Sequence, residues 1–260
     1  MSRHFDPVGA VCVVTGASSG LGRRFALDLA AAGAVVVGMA RRQALLDELE
    51  GQLKARTPAS STRRCDVSDT DAFAAVLAEL EKEHGRIDVL VNDAGIGEPP
   101  GEDDMAKYRS VMDTNYFGAV AGTLAVLPGM EERRRGVVVN VSSDSGRAPG
   151  PGELAYGASK AALSAFTESM ALRLWGSGVH LHVLYPGWVP TSMGSAAVDD
   201  GMPMPPKVVR RSEEQVSRLL IARMGGPRID IDAAVVARMA PVAKALFPGL
   251  YRRGLQAASH

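Results

Sequence analysis

Residues 13–22 read "VVTGASSGLG": an apolar strand end, glycines at 16, 20 and 22, and the opening of a helix, "GLGRRFALDLAAAG", that closes at Gly33. A turn directly after a buried strand has to be tight. Glycine there leaves no Cβ between the backbone and a bound pyrophosphate. The helix N-terminus behind it offers unpaired N–H groups and the positive end of its dipole. A glycine triplet alone is often only a flexible loop; the strand before and the amphipathic helix after it make this one a dinucleotide turn. Its candidate cofactor contacts are Gly16, Ser18, Ser19, Gly20, Leu21 and Gly22.

Outward from that turn, short apolar runs alternate with longer helical segments. "AVVVGMA", "STRRCDV", "IDVLVNDAG", "GVVVNVSS" and "VHLHVLYPG" follow as strands two to six, and "PRIDID" offers a seventh. Ser68, with Asp71 three residues on, reads as the cap of the helix running to about His84, and one long helix is expected from Asp104 to Met130. Strands this uniformly apolar belong in a parallel sheet covered on both faces. The expected fold is α/β: a doubly wound, Rossmann-type single domain over residues 1–260, with a central parallel sheet of about seven strands. A TIM barrel of similar length is the alternative, and the first βα turn argues against it.

Composition narrows the function. The 260 residues hold 29 lysines and arginines against 29 aspartates and glutamates, so net charge argues for neither nucleic acid nor an anionic membrane. Cys12 and Cys65 lie in separate apolar segments without metal-ligand spacing; two reduced, buried thiols and no metal are expected, in keeping with a cytoplasmic chain. The N-terminus "MSRHFDPVGA" has no apolar core and is not read as a secretory signal. "TNYFGAVAGTLAVLPGM" prompts a membrane check, but Asn115, its glycines and Pro128 make a core helix the better reading.

The end of the second strand discriminates between nicotinamide cofactors. An NAD site usually carries an acid about 20 residues beyond the glycines, to hold the ribose hydroxyls. Here "GMARRQ" supplies Arg41 and Arg42, with no acid between Asp28 and Asp47. A guanidinium matches a 2′-phosphate with forked, charge-assisted hydrogen bonds. NADP(H) is therefore expected over NAD(H), with Arg41 favoured for the phosphate and Arg42 equally readable as a solvated strand-end residue.

Taken together these residues resemble the short-chain dehydrogenase/reductase family, in its single-domain branch. Thr15–Gly22 matches the family's TGxxxGxG, and Tyr156-Gly157-Ala158-Ser159-Lys160 its YxxxK. Ser143 stands thirteen residues before the tyrosine, as the family's active-site serine does, and Asn115 lies in the helix that carries the family's asparagine. Asp66 and Val67 match its adenine-contacting pair, and Pro186-Gly187-Trp188-Val189-Pro190-Thr191 its PGxxxT. The match runs in order from about residue 10 to 191. One departure is Asn92-Asp93-Ala94-Gly95, where the family usually has Asn-Asn-Ala-Gly; an ionised aspartate cannot donate hydrogen bonds. If the second asparagine ordinarily ties neighbouring strands together, those contacts are rearranged here or Asp93 holds a proton.

The resemblance implies a catalytic set of Asn115, Ser143, Tyr156 and Lys160. Tyr156 would be general acid in carbonyl reduction and base in alcohol oxidation. Ser143 would hold the substrate oxygen, and Asn115 a water relaying protons to Lys160. Asn92, Ala94, Gly95, Pro186, Gly187, Val189 and Thr191 would join the cofactor contacts with Tyr156 and Lys160, and Trp188 and Met193 would face the substrate with Ser143 and Tyr156. Ser142 competes with Ser143, but the spacing favours the latter.

The spacing of tyrosine and lysine has its own physical reading. Positions i and i+4 share a helix face. A phenol titrates near ~10, too weak an acid to cycle a proton at neutral pH. An ammonium about 4 Å away, at an effective dielectric of ~20, supplies around 4 kcal/mol, enough to lower the phenol by about three units. Taken alone, Tyr-x-x-x-Lys is a common pair on exposed helices; Ser143 and the glycine turn are what promote it.

Beyond Thr191 the pattern breaks up. "SMGSAAVDDGMPMPPKVV" is rich in methionine, proline and glycine and shows no periodicity; a substrate lid over about 192–225 or a plain loop fits it, and adaptable thioethers suit a hydrophobic ligand. "SEEQVSRLLIARMGG" is a helix with a Ser212/Gln215 capping box and Gly225 as terminator. A helical extension over about 233–257 puts Val236, Met239, Ala243 and Leu246 at helical spacing, interrupted near Pro241 and Pro248. It is read as core cover or a subunit surface rather than a peripheral membrane contact through Arg252 and Arg253. The function expected is reversible reduction of a hydrophobic carbonyl by a homodimer or homotetramer. The alternatives are a non-catalytic NADP sensor, or an epimerase or isomerase using bound nicotinamide.

Overall fold

The computed structural model describes residues 4–99, 104–150, 152–199, 204–234 and 238–257. Seven strands form one sheet: β1 (Val11–Thr15), β2 (Val35–Ala40), β3 (Ser61–Arg64), β4 (Val89–Asn92), β5 (Gly136–Val141), β6 (Val179–Tyr185) and β7 (Asp230–Asp232). Their order is β3-β2-β1-β4-β5-β6-β7, and every neighbouring pair is parallel. The fold is thus the doubly wound, Rossmann-type arrangement.

Alternation along β1 shows why its strand is apolar throughout. Cys12 and Val14 pack on one face with Phe25 and Leu29 of α1 (Gly20–Ala31) and Val216 and Leu220 of α8 (Glu213–Arg223). Val13 packs on the other with Phe73 and Leu77 of α3 (Thr70–His84) and Val126 and Met130 of α5 (Gly118–Glu132). Burying each such side chain contributes about 1.5–3 kcal/mol, so both layers are needed to offset the entropy of ordering the chain. Between β1 and β4 the strand order reverses, which opens a crevice beyond their carboxyl ends. Thr15 and Asn92 end those two strands and bring residues 16–22 and 93–95 to that crevice.

Several local expectations are revised. Asp69, not Ser68, caps α3, accepting from the Ala72 amide at 3.1 Å, while the Ser68 hydroxyl donates to Asp66. Both residue types cap helices well, and the backbone path decided between neighbours. The long helix is divided into α4 (Met105–Met112), a π-helical turn at Asp113–Phe117, and α5. Residues read as irregular contain α7 (Ser192–Asp199). In the C-terminal segment Val236 lies outside the described residues; α9 (Met239–Leu246) buries none of its side chains, which corrects the reading as core cover. Pro241 sits in the first turn of α9 and Pro248 opens α10 (Pro248–Ala257), positions where a missing N–H costs little.

Two polar devices fasten the sheet's far side. His182 of β6 donates from Nδ1 to the Arg228 carbonyl at 2.8 Å and accepts the Gly225 amide at Nε2, 2.9 Å away. Burial pushes its pKa down to about 4, so the ring is neutral. The guanidinium of Arg147 bonds the carboxylates of both Asp230 and Asp232 and lies 3.3 Å from the centre of the Tyr185 ring. No helix among the described residues is long and apolar enough to cross a membrane.

Candidate active site

The glycine turn is shaped by backbone contacts that leave no room for side chains. Gly16 has φ +70°, and a Cβ on it would stand 2.9 Å from the Ala94 nitrogen; one on Gly22 would stand 2.6 Å from the Gly16 carbonyl oxygen. Thr15 Oγ1 accepts the amides of Asp93 and Ala94 at 3.0 Å each, locking the turn to the end of β4. Ser19 is the residue before α1, and its side chain makes no capping bond. The first turn of α1 is thus a cradle with amides to offer an anion, and a pyrophosphate fits it.

At the end of β2 the structure turns Arg42, not Arg41, toward this cradle. The Arg42 Nη2 atom donates to Ser18 Oγ at 2.8 Å and to Ser19 Oγ at 2.6 Å. Arg41 is exposed and stands 3.6 Å from Asp66. Burial acts to raise the Asp66 carboxyl, but hydrogen bonds from Ser68 and the Arg41 charge outweigh it and hold the group below its usual range. Val67 is buried against Gly118 at the start of α5.

Asn92 ends β4 with its side chain turned into the protein. Its Nδ2 donates to Asn140 Oδ1 at 2.8 Å, and lies 3.2 Å from the Ala119 carbonyl and 3.3 Å from Thr123 Oγ1. The side chain is buried between β5 and α5, so the first residue of the Asn-Asp pair makes a tie between strand and helix. Asp93 Oδ2 lies instead against Gly22, 2.8 Å from a Cβ built there. Gly95 lies over Asn115 and Lys160, a Cβ there being 3.2 Å from Asn115 Oδ1 and 3.5 Å from Lys160 Nζ.

Asn115 sits in the π-helical turn, buried, and its amide clamps the segment after β4. Its Oδ1 accepts the Ile96 amide at 2.8 Å, and its Nδ2 donates to the Ile96 carbonyl at 2.9 Å and to Ser159 Oγ at 3.1 Å. The extra residue per turn of a π-helix swings one side chain out of the regular ladder, and such turns are frequent at functional sites.

Ser143, Tyr156 and Lys160 meet at the mouth of the same crevice. The Ser143 hydroxyl donates to Ser145 Oγ at 3.1 Å and stands beside the Tyr156 phenol, whereas Ser142 donates to the Lys160 carbonyl at 3.0 Å and pairs with Ser164. Lys160 is 5% exposed; its Nζ donates to the Val141 carbonyl at 2.8 Å and stands 5.8 Å from the centre of the Tyr156 ring. Burial, not the lysine charge, is the largest influence on the phenol in this arrangement. Burial pushes Tyr156 up to about 12, Ser143 pulls against that, and the carboxylates of Glu153, Asp93 and Asp144 add to it. Burial also pushes Lys160 below the usual lysine range, against the pull of Asp93.

After β6, Gly187 takes φ +74° and Trp188 pairs with Arg210 in an isolated parallel bridge, its amide donating to Val209 and its carbonyl accepting from Arg211. Val189 is buried, and its carbonyl accepts the Thr191 amide at 2.7 Å. Thr191 faces Gly20 at 3.2 Å from a Cβ built there, and Met193 faces Gly97 at 3.5 Å in the same sense. The start of α7 therefore leans across the mouth of the glycine turn. Pro186 lies in this same strand-end segment.

Two participants escaped the sequence. Glu98 accepts the Tyr156 amide at 2.8 Å, fixing the start of α6 (Leu154–Arg173), and Ser145 donates to Glu153 at 2.6 Å beside Ser143. Neither belongs to a pattern that spacing reveals. Among the described residues no group of three His, Cys, Asp or Glu is placed to hold a metal.

Comparisons with known proteins fall on the same residues. A family model described as short chain dehydrogenase matches residues 10–201. "Dehydrogenase/reductase SDR family member 7B" of Danio rerio is 39% identical over 196 residues, 72% of this chain and 63% of that protein. The Bos taurus protein of the same name is 36% identical over 258 residues, 94% of this chain and 79% of its own. The chain thus spans less than two thirds of the Danio rerio relative. Among solved structures, a short-chain dehydrogenase from Streptomyces avermitilis superposes with a TM-score of 0.80 at 27% identity, covering 97% of this chain and 98% of its own. A metagenomic short-chain oxidoreductase in complex with NADP gives 0.67 at 34% identity, over 70% and 84%.

Proposed function

The chain belongs to the short-chain dehydrogenase family, and from that premise we propose that it is an NADP(H)-dependent oxidoreductase interconverting a hydrophobic carbonyl compound and its secondary alcohol. One observation carries the reading: the Tyr156 phenol, with Ser143 near enough to pull on its acidity, lies one helical turn from the buried Lys160, beside a dinucleotide cradle.

The nicotinamide, when bound, supplies or accepts hydride. The chain's own residues do the rest. The first turn of α1 holds the pyrophosphate, and Arg42 and Arg41 hold the 2′-phosphate. Thr191 and the Val189 backbone orient the carboxamide. Ser143 holds the substrate oxygen, and the Tyr156 hydroxyl donates its proton to that oxygen. A phenol raised to about 12 is protonated at neutral pH but is a weaker acid than a free tyrosine, so it needs a nearby positive charge to release that proton. Lys160 supplies the charge that steadies the phenolate after the proton has left. Met193, Trp188 and α7 (Ser192–Asp199) form the apolar side of the substrate pocket as a lid, within a single domain; the part of the 192–225 segment in α8 is core instead, with Val216 and Leu220 buried against β1. Cytoplasmic location and a homodimer or homotetramer complete the proposal; exposed Phe117, Leu124 and Leu172 support the subunit contact.

A panel of ketones, aldehydes and secondary alcohols with NADPH and NADH, followed by absorbance of the reduced nicotinamide, tests this reading. Turnover of apolar carbonyls with NADPH preferred is expected. Consumption of neither cofactor across the panel would count against it.

A further inference from the structure

Where the family pattern has a second asparagine, this chain carries a carboxylate at the floor of the cleft. Asp93 Oδ2 lies 2.8 Å from where a Gly22 Cβ would stand, so the carboxylate sits directly under the first turn of α1, where the Gly22 amide favours its anion. The residue is only partly buried, and its backbone is pinned by Thr15 Oγ1. It therefore occupies the underside of the helix N-terminus that an incoming pyrophosphate would use, close enough for the two negative charges to meet. An asparagine would offer the same shape without the charge.

We propose that Asp93 takes up a proton from solvent when the dinucleotide binds, so that this residue makes cofactor affinity fall as pH rises. The inference rests on the nucleotide-binding reading above. The chemistry is a single protonation, carboxylate plus solvent proton giving the neutral acid, with no other bond changed. Groups from each packed element face Asp93. From α1 comes the Gly22 amide and from α6 the Lys160 ammonium, both favouring the anion; from α8 comes the Glu213 carboxylate, opposing it. From α6 also comes the Tyr156 phenol, which Asp93 in turn pushes up. Burial already lifts the Asp93 carboxyl well above the ordinary range. A pyrophosphate at the same helix end adds negative charge and lifts it further, and a group whose pKa rises on binding takes up a proton between its free and bound values.

The test is the dissociation constant of NADH, followed by fluorescence of the reduced nicotinamide between pH ~5.5 and ~8.5, for the wild type and Asp93→Asn. NADH lacks the 2′-phosphate, which titrates by itself in this range. For the wild type the constant is expected to rise with pH, approaching about tenfold per unit where Asp93 titrates. Asp93→Asn is expected to be flatter and to bind more tightly at the alkaline end. Calorimetry of the wild type in two buffers of different ionisation heat should register net proton uptake.

Identical pH profiles in the two proteins would overturn the inference, as would uptake that persists in Asp93→Asn, which would assign the proton to Lys160. If the variant fails to fold, absence of proton uptake in the wild type decides against it. Binding of neither nicotinamide at any pH overturns the functional reading as well, whereas pH-independent binding overturns this inference alone.

Discussion

The Lys160 ammonium donates to the Val141 carbonyl at 2.8 Å, at the end of β5, and from there stands 5.8 Å from the centre of the Tyr156 ring one turn away. Burial keeps that tyrosine protonated at neutral pH. Tyr156→Phe keeps the ring and its packing and removes only the exchangeable proton. Turnover should fall by roughly 10²–10⁴-fold, the usual contribution of a positioned general acid. NADPH affinity, read by fluorescence titration, should stay near the wild-type value. A fully active variant would remove the phenol from the mechanism.

Arg42 is predicted to matter more than Arg41 for discrimination between cofactors. Its guanidinium already sits on Ser18 and Ser19, at the lip of the phosphate cradle, while Arg41 leans toward Asp66. Hydrogen bonds to charged groups contribute about 1.5–3 kcal/mol, and 1.4 kcal/mol is a factor of ten. Arg42→Ala should therefore weaken NADPH by roughly ten- to a hundredfold and leave NADH nearly unchanged, with Arg41→Ala milder. Titrating both cofactors into both variants checks the order. The reverse order would return the 2′-phosphate to Arg41.

These two arginines mark where sequence reasoning reaches its end. The sheet was legible because Val13, Val37, Leu90 and Val138 belong to runs apolar on both faces, which only a doubly covered parallel strand requires. The cradle was legible because Gly16 and Gly22 sit where a Cβ would strike backbone. Adjacent side chains after a strand end are another matter. Which of Arg41 and Arg42 turns inward, or which of Ser68 and Asp69 caps α3, depends on a backbone path that no periodicity records. The π-helical turn at Asn115 is bounded by no glycine or proline in its interior, and α7 lies among residues with mixed propensities. The inward turn of Asn92 is visible only once Asn140 and Thr123 stand opposite it.

The Arg147 clamp is predicted to be structural. Its side chain is 13% exposed between Asp230 and Asp232, and Asp232 is 6% exposed. Removing one partner of a fully buried ion pair typically costs about 3–5 kcal/mol, but Asp232 keeps Arg238 at 3.2 Å and Asp230 is 34% exposed, which brings the expected cost to about 1–3 kcal/mol. Arg147→Met, which keeps much of the apolar stem over Tyr185, should destabilise by about that much in urea denaturation. A variant as stable as the wild type would mean that Asp230 and Asp232 are solvated well enough without the arginine.

His182 should impose an acid limit on stability. Its two ring nitrogens are committed to opposite roles: Nδ1 donates to the Arg228 carbonyl, and Nε2 accepts the Gly225 amide. A second proton would set an N–H against an N–H, in a site 1% exposed. The folded-state pKa near 4 is therefore below that of the unfolded histidine, about 6.5. The unfolded chain binds more protons between those values, so stability rises with pH across the window. The contribution is fully present above about 6.5 and is lost as pH falls toward 4, on the order of 3 kcal/mol in all. Thermal melts taken through that range should show the decline in the wild type and a shallower one in His182→Gln, whose amide has a donor and an acceptor but does not titrate. Parallel profiles for the two proteins would place the acid sensitivity elsewhere.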